Sequence, residues 1–295
     1  MSKRSRDRQL AKLAARRQAE RYAATRRRNL VVGVGVGVLS IALVAVGMGV
    51  LLGGEDPAAS PSATVSPSPS GSPSPSAEPG TQTGTVSPPA ASESGEVACG
   101  AQDPPGAGEP KPQFAGPPPM RIDREAAYTA TVVTSCGTIV IELDAKAAPQ
   151  TVNSFVFLAR KGYFDGQYVH RLDTSIDVIQ GGDPTGTGSG GPGYSIPDEL
   201  GKDPTYPPGT LAMANAGPNT GGSQFFLIAG PDGHNLDDNP AYTVFGRVIS
   251  GLEVAKRILA LPIVDPEAAA GGDLSGQRPA QAVYLERVTV RKGPA

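Results

Sequence analysis

The 17 residues from Thr210 to Phe226, TLAMANAGPNTGGSQFF, constrain this chain more than any other stretch. A loop that only joined two strands would not need this mixture of small residues, an Asn, paired glycines, a Gln and two aromatics. Small residues let a second backbone approach closely. The amides of Asn215 and Gln224 can bond a peptide's own N–H and C=O groups. Phe226 can floor an apolar pocket. Its strand neighbour Phe225 points to the opposite face and reads as core. The runs 210–214 and 225–229 read as short strands, so the chain must present a groove for extended polypeptide on a β scaffold.

The rest of the second half supplies that scaffold. Runs 128–134 and 138–143 are β-rich and meet at Ser135-Cys136-Gly137, a hairpin signal. Further strands are expected at 168–172, 178–181, 243–248 and 282–291. Pro149 opens a helical pattern with Val152, Phe155, Val156 and Ala159 on one face, and Gly162 stops it. A second helix is expected over 252–261. Short strands, Gly/Pro-rich loops and two helices predict a mainly β protein, a small closed barrel with helices. This folded domain is assigned to residues 121–295.

The first 120 residues are of another kind. Residues 1–28 carry eleven Lys/Arg against Asp7 and Glu20, whereas residues 53–295 carry 15 Lys/Arg against 26 Asp/Glu, so the formal net charge of −2 hides two opposite halves. Residues 30–52 are 23 residues without a charge. At 1.5 Å per residue a helix of that length spans about 35 Å, enough for a hydrocarbon core of about 30 Å. Arg26, Arg27 and Arg28 precede it, and Glu55 and Asp56 follow. The positive-inside rule then places the basic segment 1–29 in the cytoplasm and the remainder outside. An uncleaved single-pass anchor is the expectation. A cleaved signal peptide, hinted at by Thr25-Arg26-Arg27, is the alternative, against which stand the length of the run and the lack of an A-x-A site. The basic segment reads as a topology and anionic-lipid signal rather than a nucleic-acid site, having only Tyr22 as an interleaved aromatic. Residues 53–120, dominated by Pro, Ser, Ala, Gly and Thr, read as a disordered spacer. Cys99 and Cys136 are the only two cysteines. In an exported domain such a pair is expected to be oxidised, which would tie the end of the spacer to the first hairpin; two unrelated thiols are the alternative.

Four segments together resemble the cyclophilins, the peptidyl-prolyl cis/trans isomerases: 210–226, Tyr168-Val169-His170-Arg171-Leu172, Gln180-Gly181-Gly182-Asp183 and Tyr242-Thr243-Val244-Phe245-Gly246. The resemblance covers roughly residues 128–291. It implies an eight-stranded antiparallel barrel with one helix capping each end, no cofactor and no metal, and proline-containing segments of exported proteins as substrates. It implies catalytic roles for three residues: Arg171 bonding the prolyl nitrogen as it pyramidalises, Gln180 orienting Arg171 or bonding the substrate carbonyl, and Asn215 bonding the peptide backbone. It implies substrate contacts from Ala214, Ala216 and Gln224, and a proline pocket of Met213, Phe226, Leu236 and Val178.

The chain departs from the family pattern in places. The stretch between Arg171 and Gln180 is one residue longer, and Asp177 stands where an apolar wall is usual. Asn235 and Tyr242 replace residues often seen there. These changes leave open an alternative function, a fold of this type that holds Pro-containing segments with little turnover. Gly186-Thr187-Gly188-Ser189-Gly190-Gly191 matches G-x-G-x-x-G, but Pro192 and Gly193 forbid the helix a dinucleotide site needs. His170 and His234 lack partners at metal spacing, and no G-x-S-x-G is present. The expected whole is a monomeric isomerase on the outer face of a bacterial cell membrane.

Overall fold

The computed structural model describes residues 78–86 and 95–293. The basic segment 1–29, the apolar run 30–52 and residues 53–77 and 87–94 lie outside them. Among the described residues, no helix is long and apolar enough to cross a membrane.

Two strands fall inside the range 53–120 that reads as spacer. β1, Gln82–Val86, pairs antiparallel with β2, Lys111–Phe114. The Pro/Ser-rich average of that range conceals a few anchoring side chains. Phe114 is buried, its ring 5.0 Å from that of Phe157. The buried Lys111 donates from Nζ to the Asp165 backbone oxygen at 2.5 Å.

β3, Tyr128–Thr134, and β4, Gly137–Leu143, form the expected hairpin, in register from Tyr128–Leu143 to Thr134–Gly137. Their alternation turns Tyr128, Ala130, Val132, Ile139, Ile141 and Leu143 into the core. α1, Pro149–Arg160, starts on a proline, whose missing N–H is harmless at that position. The distant Glu199 carboxylate accepts from the Gln150 and Thr151 N–H groups, both at 2.9 Å. This satisfies donors that a helix start leaves orphaned. Phe155 on its inner face meets Phe164, Phe225 and Phe245 at ring separations of 5.0, 5.6 and 5.5 Å.

The remaining strands are β5 (Gln167–Tyr168), β6 (Arg171–Asp173), β7 (Val178–Gly181), β8 (Thr210–Met213), β9 (Phe225–Ile228), β10 (Val244–Ser250) and β11 (Tyr284–Lys292). They complete a curled antiparallel sheet ordered β5-β11-β3-β4-β10-β8-β9-β7-β6. The sheet has nine strands rather than the expected eight, because 167–173 is divided. β5 pairs with β11 and β6 with β7. Between them, Val169 donates to the Val283 oxygen and His170 to the Gln180 oxygen. The two end strands of the sheet are therefore successive pieces of one stretch of chain.

α2, Leu252–Leu259, buries Ala255 and Ile258. A third helix, α3, Pro266–Ala270, was not expected from the sequence. It has no buried residues and therefore no apolar stripe to read. The Asp265 carboxylate caps it by accepting from the Glu267 and Ala268 N–H groups.

Cys99 and Cys136 are joined by a disulfide with Cα atoms 5.2 Å apart, so the bridge fastens the segment before β2 to the β3–β4 turn. It closes a loop over a sequence separation of 37. In the chain-entropy model such a loop stabilises by about 3–4 kcal/mol. The Cys99→Ser/Cys136→Ser double variant should lose about that much unfolding free energy in urea titrations. A loss below about 1 kcal/mol would mean the segment is seated without the bridge.

Candidate functional site

The register of four neighbouring strands lines up the central residues of the site. Arg171 on β6 pairs with Gln180 on β7, Gln180 with Phe226 on β9, and Phe226 with Ala212 on β8. The adjacent row, Leu172, Ile179, Leu227 and Leu211, belongs to the main core. Successive strand residues point to opposite faces, so the row from Arg171 to Ala212 lies on the outer face. A groove of about 780 Å³ opens over that face.

Arg171 is held by three acceptors. Nη1 donates to Gln180 Oε1 at 3.0 Å, Nη2 to Asp173 Oδ2 at 2.5 Å and Nε to Gln277 Oε1 at 2.6 Å. Asp173 is itself fixed, its Oδ1 accepting from the Ser175 N–H and hydroxyl. Gln180 continues the chain, donating from Nε2 to Gln224 Oε1 at 2.9 Å. A guanidinium has five N–H donors in a rigid fork. Three are engaged by these side chains, which leaves one on each terminal nitrogen for the groove.

Beside this polar row lies a separate apolar cluster. Val178, Ala212, Phe226 and Ile228 pack with Tyr206, flanked by Ile176, Ala214, Leu236 and Tyr242. Phe226 and Tyr242 meet edge to face at 5.1 Å. Of the expected site residues, Arg171, Val178, Gln180, Ala214, Asn215, Ala216, Gln224, Phe226 and Leu236 all line the groove. Met213 does not. It pairs with Phe225 and lies in the main core, because the strand alternation that brings Ala212 outward turns Met213 inward. The Asn215 side chain braces the wall: Nδ2 donates to the Ala241 oxygen at 2.8 Å, and Oδ1 accepts from the Gly217 N–H at 3.3 Å.

Asp177 is not a groove wall. Its backbone sits at a positive φ of 53°. Its backbone oxygen accepts from Ala229 N–H and its Oδ2 from Asp232 N–H at 2.8 Å. The bare Gly230 leaves room for this carboxylate. Ile176, one residue earlier, supplies the apolar wall instead. Asn235 donates to the Ser175 oxygen, tying the Leu236 turn to the same segment. Tyr242, singled out in the sequence only as a departure from the family pattern, lies just before β10 and lines the groove. Sequence reasoning missed Leu274, Ser275 and Arg278, which reach the groove from the unanticipated segment after α3.

The glycine-rich run closes the far side. Asp183, buried, accepts at Oδ1 from Thr185 N–H and hydroxyl, and at Oδ2 from the Gly188 and Gly190 N–H groups. Gln224 Nε2 donates to the Gly188 and Gly190 oxygens at 3.0 and 2.8 Å. Bonding the run from both its N–H and C=O sides fixes a backbone that glycines would otherwise leave free.

His170 lines the groove, yet is only 4% exposed, and neither ring nitrogen has a hydrogen-bond partner. Burial pushes its pKa down to about 4. The nearby Asp183 charge opposes this, Arg171 reinforces it, and Gln224 also favours the charged form without making a full hydrogen bond. With a folded pKa below the unfolded one, only the unfolded state takes up the proton between pH 6.5 and 4, so stability is lost as pH falls through that window. The His170 ring should remain neutral in NMR titrations from pH 7 to 5.5. Unfolding free energy attributable to it should drop by about 1–2 kcal/mol between pH 6.5 and 5. A ring that titrates near pH 6.5 would mean water reaches it.

Among the described residues, no group of three or more His, Cys, Asp or Glu is placed to hold a metal ion. The family model for cyclophilin-type peptidyl-prolyl cis-trans isomerases matches residues 129–290. A peptidyl-prolyl cis-trans isomerase of Schizosaccharomyces pombe is 50% identical over 129 residues, covering 42% of this chain and 81% of the relative. Peptidyl-prolyl cis-trans isomerase B of Bacillus subtilis is 50% identical over 121 residues, 41% of this chain and 82% of the relative. A probable peptidyl-prolyl cis-trans isomerase B of Mycobacterium tuberculosis is 40% identical over 178 residues, 55% of this chain and 54% of the relative. The family match spans more than half of the chain and contains every strand of the groove, and the protein belongs to the cyclophilin-type peptidyl-prolyl cis-trans isomerases.

Proposed function

We propose that this isomerase turns X–Pro bonds in the groove over β6, β7, β9 and β8, with Arg171 as the catalytic residue. The observation that carries this reading is the Arg171 fork, held by three side chains next to the Phe226 cluster with an N–H to spare on each terminal nitrogen. An amide resists rotation by about 18–20 kcal/mol because its nitrogen lone pair is shared with the carbonyl. In the twisted state that lone pair is localised and can accept a hydrogen bond. A donor held in place for it binds the transition state better than either planar isomer. The proline ring sits against Phe226, with Ile176, Val178, Leu236 and Tyr242 around it. Gln180 and Gln277 keep the guanidinium plane fixed, Asn215 offers its second Nδ2 hydrogen to the peptide backbone, and Gln224 holds the glycine-rich wall beside it. The barrel reading, eight strands closed on themselves, is supported by the stretch 167–173, which bonds to both ends of the sheet order.

A holding module with little turnover was favoured by the loss of an apolar wall at Asp177. Ile176 instead occupies that wall, and Asp177 braces the neighbouring turn.

Arg171→Ala should lower kcat/KM on an X–Pro peptide at least about tenfold, since a charge-assisted bond contributes about 1.5–3 kcal/mol. Its melting temperature should fall as well, because the buried Asp173 carboxylate loses its cationic partner, so rates are compared well below the variant's melting point. Gln277→Ala frees one side of the fork and should lower kcat severalfold, by about three to ten, with KM nearly unchanged. Full activity in Arg171→Ala would remove Arg171 from the mechanism, and full activity in Gln277→Ala would remove Gln277 as a positioning residue.

The proposal extends to place. Residues 30–52 anchor the chain in a bacterial plasma membrane, residues 1–29 lie in the cytoplasm, and the isomerase domain works outside, as a monomer, on exported proteins as they fold. Support comes from the uncharged 23-residue run between basic and acidic flanks. A disulfide in the folded domain also suits an oxidising compartment. The protein should pellet with membranes after an alkaline carbonate wash and retain its first residues. Release into the wash, or a mature N-terminus between residues 53 and 62, would overturn the anchor.

A further inference from the structure

The family match begins at residue 129, yet the chain before it reaches the back of the substrate groove. Residues 95–127 form a strap that packs on α1 and the loops beside it. It is fastened by the Cys99–Cys136 bridge, by Lys111 on the Asp165 oxygen, and by the Phe114 ring, which lies 5.0 Å from Phe157 and 6.5 Å from both Tyr163 and Tyr194. From that seat β2 takes hold of the glycine-rich wall. The Gln113 side chain donates from Nε2 to the Gly191 oxygen at 2.7 Å. The Phe114 N–H donates to the Pro192 oxygen at 2.8 Å. The approach at Gly193 is so close that a Cβ there would lie 2.6 Å from the Phe114 oxygen.

Gly186–Pro192 and Tyr194 line the groove on their other side. The wall thus has two sets of supports. Asp183 and Gln224 bond it at Gly188 and Gly190, within the matched domain. Gln113 and Phe114 bond it at Gly191 and Pro192, from outside that domain. Five glycines among the eight residues 186–193 leave little intrinsic stiffness, so these bonds decide where the wall stands.

We propose that the strap, through Gln113 and Phe114, is a positioning element for substrate binding: it fixes the 186–192 wall and so sets the affinity for the peptide residues that flank the proline. This rests on the groove being the isomerase site proposed above. The bonds that hold Arg171 come from Gln180, Asp173 and Gln277, none of which belongs to the strap. The strap therefore acts on the hold over an extended chain rather than on the twisting of the prolyl bond.

Gln113→Ala and Phe114→Ala, each made in the full chain, test the proposal with two peptides. One is a blocked four-residue peptide with one X–Pro bond. The other has the same core extended by three residues on each side. Expected is a rise of about three- to tenfold in KM for the long peptide, with kcat on both peptides and KM for the short one unchanged within about twofold. Amide exchange across 186–193 should speed up at least about fivefold, while β3 and β4 keep their protection. Phe114 is buried, so its variant can fail to fold. The half-buried Gln113 loses only an amide, and its variant then carries the test. Unchanged long-peptide KM and unchanged exchange in a folded variant would overturn the proposal. So would a parallel fall in kcat on both peptides, the mark of general loosening. A wild type that turns over neither peptide would sink the isomerase reading of the groove, and the exchange experiment would still decide whether the strap holds the wall.

Discussion

The strict alternation of side chains across β6, β7, β9 and β8 is the constraint on which the rest depends. In β7, β9 and β8 both faces are buried, one in the main core and the other under the groove. A slip of one residue in any strand would exchange Leu227 for Phe226 or Ile179 for Gln180 and invert the site. The register is therefore fixed from both sides. The inner row must be leucine and isoleucine for the core to close. The outer row can then carry an arginine, a glutamine, a phenylalanine and an alanine, residues with no common packing logic of their own.

On that platform, polar groups are paired so that few are left to wander. The line Gln277–Arg171–Gln180–Gln224 runs on to the backbone oxygens of Gly188 and Gly190, and Asp183 answers with acceptors for the same run's N–H groups. Such networks hold their shape because breaking one member leaves another buried and unsatisfied. The groove thereby combines a fixed charged donor at one end with a wall whose stiffness is borrowed. His170 stands apart: its ring is buried, with its pKa pushed down, and neither ring nitrogen has a hydrogen-bond partner.

The departures from family pattern read differently once distances are known. Between Arg171 and Gln180, where the chain is a residue longer than the family pattern, Asp177 sits at a positive φ with its carboxylate on the Asp232 N–H, and Ile176 lines the wall. A linear alignment cannot show this, because an insertion is absorbed wherever the backbone can bulge and a partner waits. Met213 is the converse case. Its neighbours in sequence are groove residues, but it faces the core, and the pairing with Phe225 rather than its size decides that.

Sequence alone determined the strands and the two longer helices, since their periodicities of two and 3.6 are local properties of the chain. It also determined most of the groove, since segments 168–172, 180–183 and 210–226 carry their residues in fixed local order. It did not reveal β1, β2 or the segment that brings Gln277 to Arg171. Those pieces are polar, Pro-rich or Gly-rich, and have no apolar repeat. They are ordered by long-range contacts, such as the one across 106 residues between Arg171 and Gln277. Composition registers the entropy that such segments would lose on ordering. Only the tertiary structure supplies the few long-range bonds that offset it: a disulfide, a buried lysine and one phenylalanine in an aromatic pocket.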